Sequence, residues 1–222
     1  MNSVVVPEGQ EPTVVLGPPV LHDPAPEFVT RTTLGERRLS SYRGRWLVFF
    51  SHPADFTPVC TSEFIAFAKT YSKFQAVGCD LLALSVDSLF SHLAWVRNIH
   101  TVFGVEIPFP IAEDSALVIA RAYGMVHAAA ANSATVRATY VIDPEGIIRA
   151  ITWYPMSTGR SVTELLRLVL ALQASDEHAA LTPENWQPGD SLLEVAPGTY
   201  PEAVKAAAGK EAQDWYYRAK AR

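Results

Sequence analysis

The sequence predicts an α/β fold in which helices flank a central mixed sheet, followed by a C-terminal extension arm. Residues 46–50 form a continuous apolar run, which is typical of a strand buried on both faces of a helix-covered sheet. Helix-periodic stretches then alternate with further apolar runs, as in parallel βαβ units, and the turn sequence at 143–146 adds an antiparallel hairpin. Proline and glycine become frequent from about residue 180, where the arm would begin.

Length and charge narrow the classes of protein. The chain has 222 residues, of which 49% are hydrophobic and 18% charged, enough for one substantial domain and an appendage. A formal net charge of -5 gives no reason to expect nucleic acid or an anionic membrane surface as a partner. The first residues lack the features of a signal peptide and no apolar run is long enough for a bilayer, so we expect a cytoplasmic protein with no membrane partner.

The first half of the chain reads as a series of strands and helices. Residues 1–26 are an extended lead-in, and 33–37 form a turn between two short strands. A helix over 58–77 is predicted to end at Gly78, and a buried strand follows over 79–86. The helix carries an aromatic stripe that should face the core: Phe64, Phe67, Tyr71 and Phe74.

The next helix should begin at Asp87 or Ser88 and run to Phe103. Four apolar residues are predicted to face inward from it: Leu89, Leu93, Val96 and Phe103. A strand is predicted over 107–111, a short helix from Asp114 or Ser115 to Tyr123, and a loop over 124–135 that would pass near a site on the sheet.

Two strands, 136–142 and 147–154, flank the hairpin turn, and a capping box of Ser161 and Glu164 opens the last helix of the domain. This helix should bury Val162, Leu165, Val169 and Leu172. The order of elements is that of a thioredoxin-like domain over residues 1–178. The extension over 179–222 ends in a helix-prone stretch at 202–220, and its apolar side chains must pack against this domain or a partner chain.

One cysteine lies where a thiolate would be favoured. Thr57 followed by Pro58 is typical of a helix start, with the Thr57 hydroxyl accepting a free backbone N–H, and this places Cys60 at the third helical position. Unpaired amides and the helix dipole favour an anion there, which would make Cys60 a nucleophile. A buried cysteine that only fills space is the alternative.

The residues around Cys60 resemble a known motif. Pro53, Thr57 and Cys60 have the spacing P-x-x-x-T-x-x-C, which resembles the peroxidatic motif of the peroxiredoxins of the AhpC/TSA family, and residues 51–61 are similar to the one-cysteine subgroup typified by peroxiredoxin 6. The resemblance implies a thiol-dependent peroxidase that reduces hydrogen peroxide and alkyl hydroperoxides without a cofactor.

The resemblance also implies roles for individual residues. Cys60 would attack the peroxide, Thr57 would orient it, Pro53 would shield the thiolate from water, and Arg137 would be the active-site arginine. From the residues alone, Thr57 could be only a helix cap, Pro53 a strand terminator and Arg137 a surface residue.

Three more positions match supporting residues of the family. Glu63, one turn after Cys60, would hold Arg137, although a solvated carboxylate is the commoner role of such a residue. His52 matches a subgroup position close to the thiol, and Arg160 matches a second arginine.

Cysteine and histidine spacing argues against other chemistry. Neither a C-x-x-C nor an H-E-x-x-H pattern is present, so we expect no metal. Cys79 begins a buried strand behind the predicted helix, which is a poor place for a resolving thiol, and no cysteine follows it. An external thiol, glutathione or a thioredoxin-type protein, would therefore reduce the oxidised Cys60. A peroxide sensor or holdase chaperone that uses the same cysteine as a switch is the alternative function.

Two further stretches qualify the resemblance. Residues 185–191 resemble the C-terminal extension of one-cysteine peroxiredoxins, which implies a homodimer and leaves a larger ring open. Arg45 stands where some members carry a lipase serine, so a lipase function is not supported. The sequence explains neither Cys79 nor the stretch 127–135.

Overall fold

The computed structural model describes residues 17–126, 132–208 and 214–220. Seven strands form one mixed sheet in the order β2-β1-β5-β4-β3-β6-β7. In chain order they are β1 (Val29–Thr32), β2 (Gly35–Arg38), β3 (Trp46–Ser51), β4 (Cys79–Ser85), β5 (Ile111–Glu113), β6 (Arg137–Ile142) and β7 (Ile148–Tyr154). The central strands β3, β4 and β5 are parallel, whereas β6 and β7 continue the sheet in antiparallel pairing. The predicted mixed sheet is confirmed.

Five α-helices lie in the described parts of the chain. They are α1 (Pro58–Ala76), α2 (Leu89–Phe103), α3 (Val118–Ala122), α4 (Val162–His178) and α5 (Tyr200–Ala207). Among these residues, no helix is both long and apolar enough to cross a bilayer.

The alternation of side chains along β3 explains why its whole run is apolar. Val48 and Phe50 belong to a core formed with α1, α2 and α4. Leu47 and Phe49 belong to a second core on the other face of the sheet, formed with α3 and residues from the N-terminal segment. Both faces of the strand are therefore buried, as its continuous apolar pattern predicts.

The helix α1 follows its predicted pattern. It begins at Pro58 and buries three rings of the aromatic stripe completely, while Tyr71 packs at the margin of the same core. The ring of Phe67 stacks on Phe50 of β3 with centroids 4.2 Å apart. Gly78 follows the helix with φ +69, a left-handed conformation that glycine adopts without strain, and its carbonyl accepts the Trp46 N–H.

The predicted inward face of α2 is wrong at two of its four positions, since Leu89 is partly buried and Val96 packs against the core. Leu93 and Phe103 are exposed, and the helix instead buries His92, Trp95 and Ile99. Both sets have helical spacing, and the sequence favoured the face with more aliphatic residues. The burial of a histidine on this helix becomes important at the site.

Two other predictions need correction. The strand predicted over 107–111 begins only at Ile111, because Pro108 and Pro110 interrupt the preceding segment. In the helix-prone stretch 202–220, the described residues are helical to Ala207, and the described end, 214–220, contains strand β9 (Ala219–Lys220), which pairs with β8 (Leu192–Leu193). Residues 1–16, 209–213 and 221–222 lie outside the described residues.

The extension lies partly on its own domain. Trp186 is buried, and its carbonyl accepts a hydrogen bond of 3.0 Å from Arg167 of α4. Val195, Tyr200 and Tyr216 are exposed. The tail thus covers part of α4 and presents an apolar outer surface.

Candidate active site

Cys60 lies at the start of α1, where the chain turns from β3 into the helix. It is the third residue of α1, and its side chain is buried. Thr57 precedes the helix in an extended conformation, but its hydroxyl donates to the Ala54 carbonyl at 2.9 Å instead of accepting a helix N–H. The predicted side-chain cap is therefore wrong, because the hydroxyl binds within its own turn.

Arg137 contacts the Cys60 sulfur. Its Nη1 lies 3.3 Å from Cys60 Sγ, and its Nε and Nη2 donate to the Met156 carbonyl at 3.1 and 2.8 Å. Antiparallel pairing brings the beginning of β6 to the end of β3, beside the start of α1. Arg137 is 2% exposed, which excludes the surface role that its position in the sequence left open.

Glu63 connects the two predicted arginines. Its Oε2 accepts from Arg137 Nη1 at 2.8 Å, and its Oε1 accepts from the Arg160 backbone N–H at 2.7 Å and from Arg160 Nε at 2.9 Å. Burial alone would raise the pKa of this carboxyl, but the hydrogen bonds from Arg160 and the charges of Arg160 and Arg137 together outweigh burial and lower the pKa. Glu63 is therefore an ionised anchor and not a solvated carboxylate.

Arg160 supports this arrangement from behind. Its Nη1 donates to the Ala138 carbonyl at 3.0 Å, and its guanidinium carbon lies 5.0 Å from the centre of the Phe50 ring. Among its hydrogen bonds in the described chain, none goes to the Cys60 sulfur. The structure thus places Arg160 as a partner of Glu63.

The charges of this cluster bear on the state of Cys60. Two arginines and one glutamate lie together, each at most 7% exposed, so they carry one uncompensated positive charge if the cysteine is neutral. Uncompensated charge is costly in a buried site. The cluster therefore presents a positive donor, Arg137 Nη1, to the Cys60 sulfur.

His52 belongs to a second buried cluster. Its Nε2 lies 2.9 Å from Asp55 Oδ1, and the other carboxylate oxygen lies 2.8 Å from Nδ1 of His92 on α2. The His52 ring also packs on Phe64, one turn beyond Cys60, with centroids 4.8 Å apart. No hydrogen bond within the described residues joins His52 to the Cys60 sulfur.

The three side chains of this second cluster are of metal-ligating types, with ligand atoms within 4.8 Å of one another. Metal-bound histidines usually donate their other ring N–H to an acceptor. Here His52 Nδ1 and His92 Nε2 have no hydrogen-bond partner among the described residues. The set therefore fits hydrogen bonding between each ring and Asp55 better than it fits a metal ion.

Pro53 and the loop 124–135, the remaining parts of the predicted site, lie next to His52. Pro53 is buried directly after His52. Thr135, at the described end of the loop 124–135, donates its hydroxyl to the His52 carbonyl at 2.8 Å, so this part of the loop lies at the site as expected. Residues 127–131 lie outside the described residues.

Cys79 has different surroundings at the other end of the sheet. It faces Trp46 across the parallel pairing of β3 and β4, at the edge where both strands begin. Burial and the Asp80 charge raise the pKa of its thiol to about 12. Both cysteines are free.

Comparison with known proteins identifies the family. The family model described as AhpC/TSA matches residues 21–151, and that described as the C-terminal domain of 1-Cys peroxiredoxin matches residues 171–209. The chain belongs to the AhpC/TSA family. It is therefore a peroxiredoxin, a thiol peroxidase that acts on a peroxide with a thiol reductant.

Curated relatives support this assignment over most of the chain. A peroxiredoxin of Aquifex aeolicus is 48% identical over 214 residues, covering 91% of this chain and 96% of the relative. Peroxiredoxin 2 of Thermoplasma acidophilum is 47% identical over 194 residues, covering 87% and 96%.

Solved structures agree with the fold. A yeast mitochondrial 1-Cys peroxiredoxin, studied for thiol resolution through glutathione and thioredoxin systems, has a TM-score of 0.81 at 36% identity and covers 90% of this chain and 98% of its own. A cysteine-to-serine mutant of peroxiredoxin 6 of Arenicola marina has a TM-score of 0.78 at 29% identity, with 91% and 99% covered. A reduced 2-Cys peroxiredoxin of Plasmodium vivax has a TM-score of 0.73 at 30% identity, with 79% and 93% covered.

Sequence reasoning missed three parts of this peroxiredoxin site. Asp55 follows His52 at a spacing of three, a signal that was available in the sequence. His92 lies 37 positions beyond Asp55, and no local pattern connects them. The Met156 carbonyl that holds Arg137 is a backbone group and has no sequence signature.

Proposed function

We propose that this peroxiredoxin uses a single catalytic cysteine, Cys60, to reduce hydrogen peroxide and alkyl hydroperoxides. The contact between Arg137 Nη1 and Cys60 Sγ at 3.3 Å, inside a buried cluster that needs one more negative charge, carries this proposal. An arginine keeps its charge at any working pH, so it can hold the thiolate ready.

The proposed step is a displacement at oxygen. The Cys60 thiolate attacks the terminal oxygen of the hydroperoxide, a sulfur–oxygen bond forms, and the oxygen–oxygen bond breaks. Cys60 becomes a sulfenic acid, and the leaving alkoxide or hydroxide takes a proton from solvent to give an alcohol or water. Arg137 Nη1, which lies 3.3 Å from the sulfur, is the donor beside the region where this negative charge develops.

The other predicted residues have supporting roles in this proposal. The proton of the Thr57 hydroxyl is donated to Ala54, so the oxygen presents a lone pair that can accept from the O–H of the peroxide. Pro53, which has no N–H, limits water near the sulfur. Glu63 orients Arg137, and Arg160 holds Glu63 in place.

The position of Cys79 supports the one-cysteine mechanism. Cys60 is near the start of α1, and Cys79 follows its end, so about 24 Å of helical rise separates Cys60 from the last residue of α1. A disulfide needs Cα atoms within about 7 Å. The sulfenic acid is therefore left for an external thiol, which forms a mixed disulfide and releases water, and a second thiol then restores Cys60.

The reductant is proposed to be glutathione or a thioredoxin-type protein. Support comes from the yeast 1-Cys peroxiredoxin, whose thiol is resolved through the glutathione and thioredoxin systems. Steady-state peroxide consumption with each donor in turn tests this proposal, since catalytic turnover with at least one of them is expected. A chain that reacts once and stops with every donor would instead be the sensor or holdase, an alternative that the names of the relatives do not favour.

We also propose a division at residue 178 into a peroxidase domain and a dimerisation arm. The match of the C-terminal model and the exposed apolar side chains of the arm, among them Tyr200 and Tyr216, support a homodimer. Sedimentation of the full chain should show a dimer or a larger ring. A monomer at micromolar concentration would contradict this part of the proposal.

A further inference from the structure

The carboxylate of Asp55 connects two histidines that are distant in sequence. Its Oδ1 is hydrogen-bonded to His52 Nε2 at 2.9 Å, and its Oδ2 is hydrogen-bonded to His92 Nδ1 at 2.8 Å. Both histidine side chains are 0% exposed, and that of Asp55 is 1% exposed. A bridge this deeply buried is protected from water and depends strongly on its geometry.

The bridge fixes where the protons lie. Burial alone would raise the pKa of Asp55, but the hydrogen bonds from His52 and His92 hold it well below its usual range, so Asp55 is ionised. An ionised carboxylate only accepts hydrogen bonds, so each histidine must place a proton on the nitrogen that faces it. Each ring is thereby held in one orientation.

The backbone around Asp55 is fastened to the same part of the fold. The Asp55 N–H donates to Asp87 Oδ2 at 2.9 Å, and the His52 N–H donates to the Leu84 carbonyl at 2.9 Å. Both partners lie at the end of β4 or just beyond it. The loop 52–57 is therefore tied through its backbone to β4 and to Thr135, and through the Asp55 side chain to α2.

This loop carries two of the residues proposed to handle the peroxide. Pro53 and Thr57 lie on either side of Asp55. Among the described residues, the Thr57 hydroxyl bonds only within the loop, to the Ala54 carbonyl, and the Pro53 side chain has no hydrogen-bonding group. Cys60 is held separately, by Arg137 from β6. The thiolate and the groups that orient the peroxide are thus positioned by two different networks.

We propose that Asp55 and His92 are positioning residues of the peroxidase reaction, which hold the loop 52–57 on α2 so that Thr57 and Pro53 face the Cys60 sulfur correctly. The inference rests on the proposed function of Cys60. It assigns to α2, a helix with no residue in the predicted site, a part in orienting the peroxide. Misplacement of a reacting group by about 1 Å can cost on the order of a hundredfold in rate.

The test separates orientation of the peroxide from formation of the thiolate. In Asp55→Asn, the rate constant of Cys60 with hydrogen peroxide in a single turnover should fall by about tenfold to a hundredfold. Alkylation of Cys60 by iodoacetamide, which needs the thiolate but not the loop, should stay within about twofold of the wild-type rate. A variant that had merely unfolded would change both rates together.

Matched variants of α2 sharpen the test. The Nδ2 of asparagine can replace the donor at His92 Nδ1, so His92→Asn should keep most of the peroxide rate that His92→Leu loses. His100→Leu, at an exposed position of the same helix, should behave as wild type. Thermal unfolding of each variant identifies any that fails to fold.

Three outcomes would overturn the inference. They are a wild-type peroxide rate in a folded Asp55→Asn, an equal loss of peroxide reduction and alkylation, and equal rates in His92→Asn and His92→Leu. If wild-type Cys60 does not react with peroxide at all, the proposed function itself fails first, and this is distinguishable because it requires no variant.

Discussion

The two cysteines of this peroxiredoxin are equally buried and have opposite electrostatic surroundings. Both side chains are 0% exposed. Cys60 lies at the edge of the sheet where β3 ends, against the Arg137 guanidinium, whereas Cys79 lies at the opposite edge beside Asp80. Burial alone therefore does not decide which thiol reacts. We propose that the fixed charge in contact with the sulfur, Arg137 at Cys60, makes the difference.

The largest expected effect comes from replacing the two cysteines in turn. Cys60→Ser should lower peroxide consumption by at least about a thousandfold, because the proposed nucleophile is lost. Cys79→Ser should stay within about twofold of wild type, since its thiol lies at the far edge. Steady-state consumption with an excess of dithiol measures both, and full activity in Cys60→Ser would remove the comparison altogether.

The next effect concerns the charge beside Cys60. Arg137→Met keeps a long side chain but removes the positive donors, so the peroxide rate should fall by about a hundredfold to a thousandfold. The peroxide rate of Arg137→Lys should lie between those of wild type and Arg137→Met. Lysine keeps the positive charge but loses the planar pair of donors that holds the Met156 carbonyl. Stopped-flow rates of the folded variants check this order. A rate for Arg137→Met near that of wild type would show that the guanidinium is only structural.

The sequence already contained much of this comparison, because its strongest signals are local. The apolar run of β3, the helix start at Pro58 and the third-position Cys60 depend on neighbouring residues, and all three are as predicted. The charged cluster was located through family motifs at Glu63, Arg137 and Arg160, since the spacing of these residues alone does not show that they meet.

The failures arise where distant residues compete for one face. The sequence of α2 offers two faces with apolar residues, and the face that turns inward carries His92, whose partner Asp55 lies on a different loop. The Thr57 hydroxyl could bind a helix N–H or a carbonyl of its own turn, and it binds the Ala54 carbonyl. Long-range contacts of this kind leave no periodic signal in the sequence.

Replacing Cys79, which should hardly change activity, should have a smaller but measurable effect on stability. Cys79→Ser places a hydroxyl in an apolar environment and should lower the free energy of unfolding by about 1 to 3 kcal/mol. Cys79→Ala removes the same sulfur without adding a polar group, and it should cost less if the hydroxyl is the cause. Denaturant unfolding measures both, and equal stability of wild type and Cys79→Ser would show that the pocket tolerates polar groups.

The smallest expected effects are on pH dependence. Burial lowers the pKa of His52 from its usual 6.5, and the neighbouring His92 lowers it further. Asp55 and Asp87 act in the opposite direction but do not outweigh burial. The unfolded chain then binds a proton below about pH 6.5 that the folded chain does not, so stability should fall as the pH drops below that value. At the other edge the folded Cys79 keeps its proton between about 9 and about 12, so stability should fall as the pH rises through that window.

Two variants test whether His52 causes the loss of stability at low pH (the acid limb) and Cys79 the loss at high pH (the alkaline limb). His52→Gln should flatten the acid limb, and Cys79→Ala should flatten the alkaline limb, each by up to about 1.4 kcal/mol per pH unit. Denaturant unfolding at several pH values gives the slopes. Identical acid slopes in wild type and His52→Gln would contradict the first assignment, and identical alkaline slopes in wild type and Cys79→Ala would contradict the second.

One measurement tests the central claim, that a single thiolate held by Arg137 does the chemistry, most directly. The reduced chain is treated with one equivalent of hydrogen peroxide, trapped at once with dimedone, and analysed by intact mass and peptide mapping. We expect one dimedone adduct, located on Cys60, with Cys79 still a free thiol. A chain that has lost two hydrogens through a bond between Cys60 and Cys79, or an adduct on Cys79, would contradict that claim.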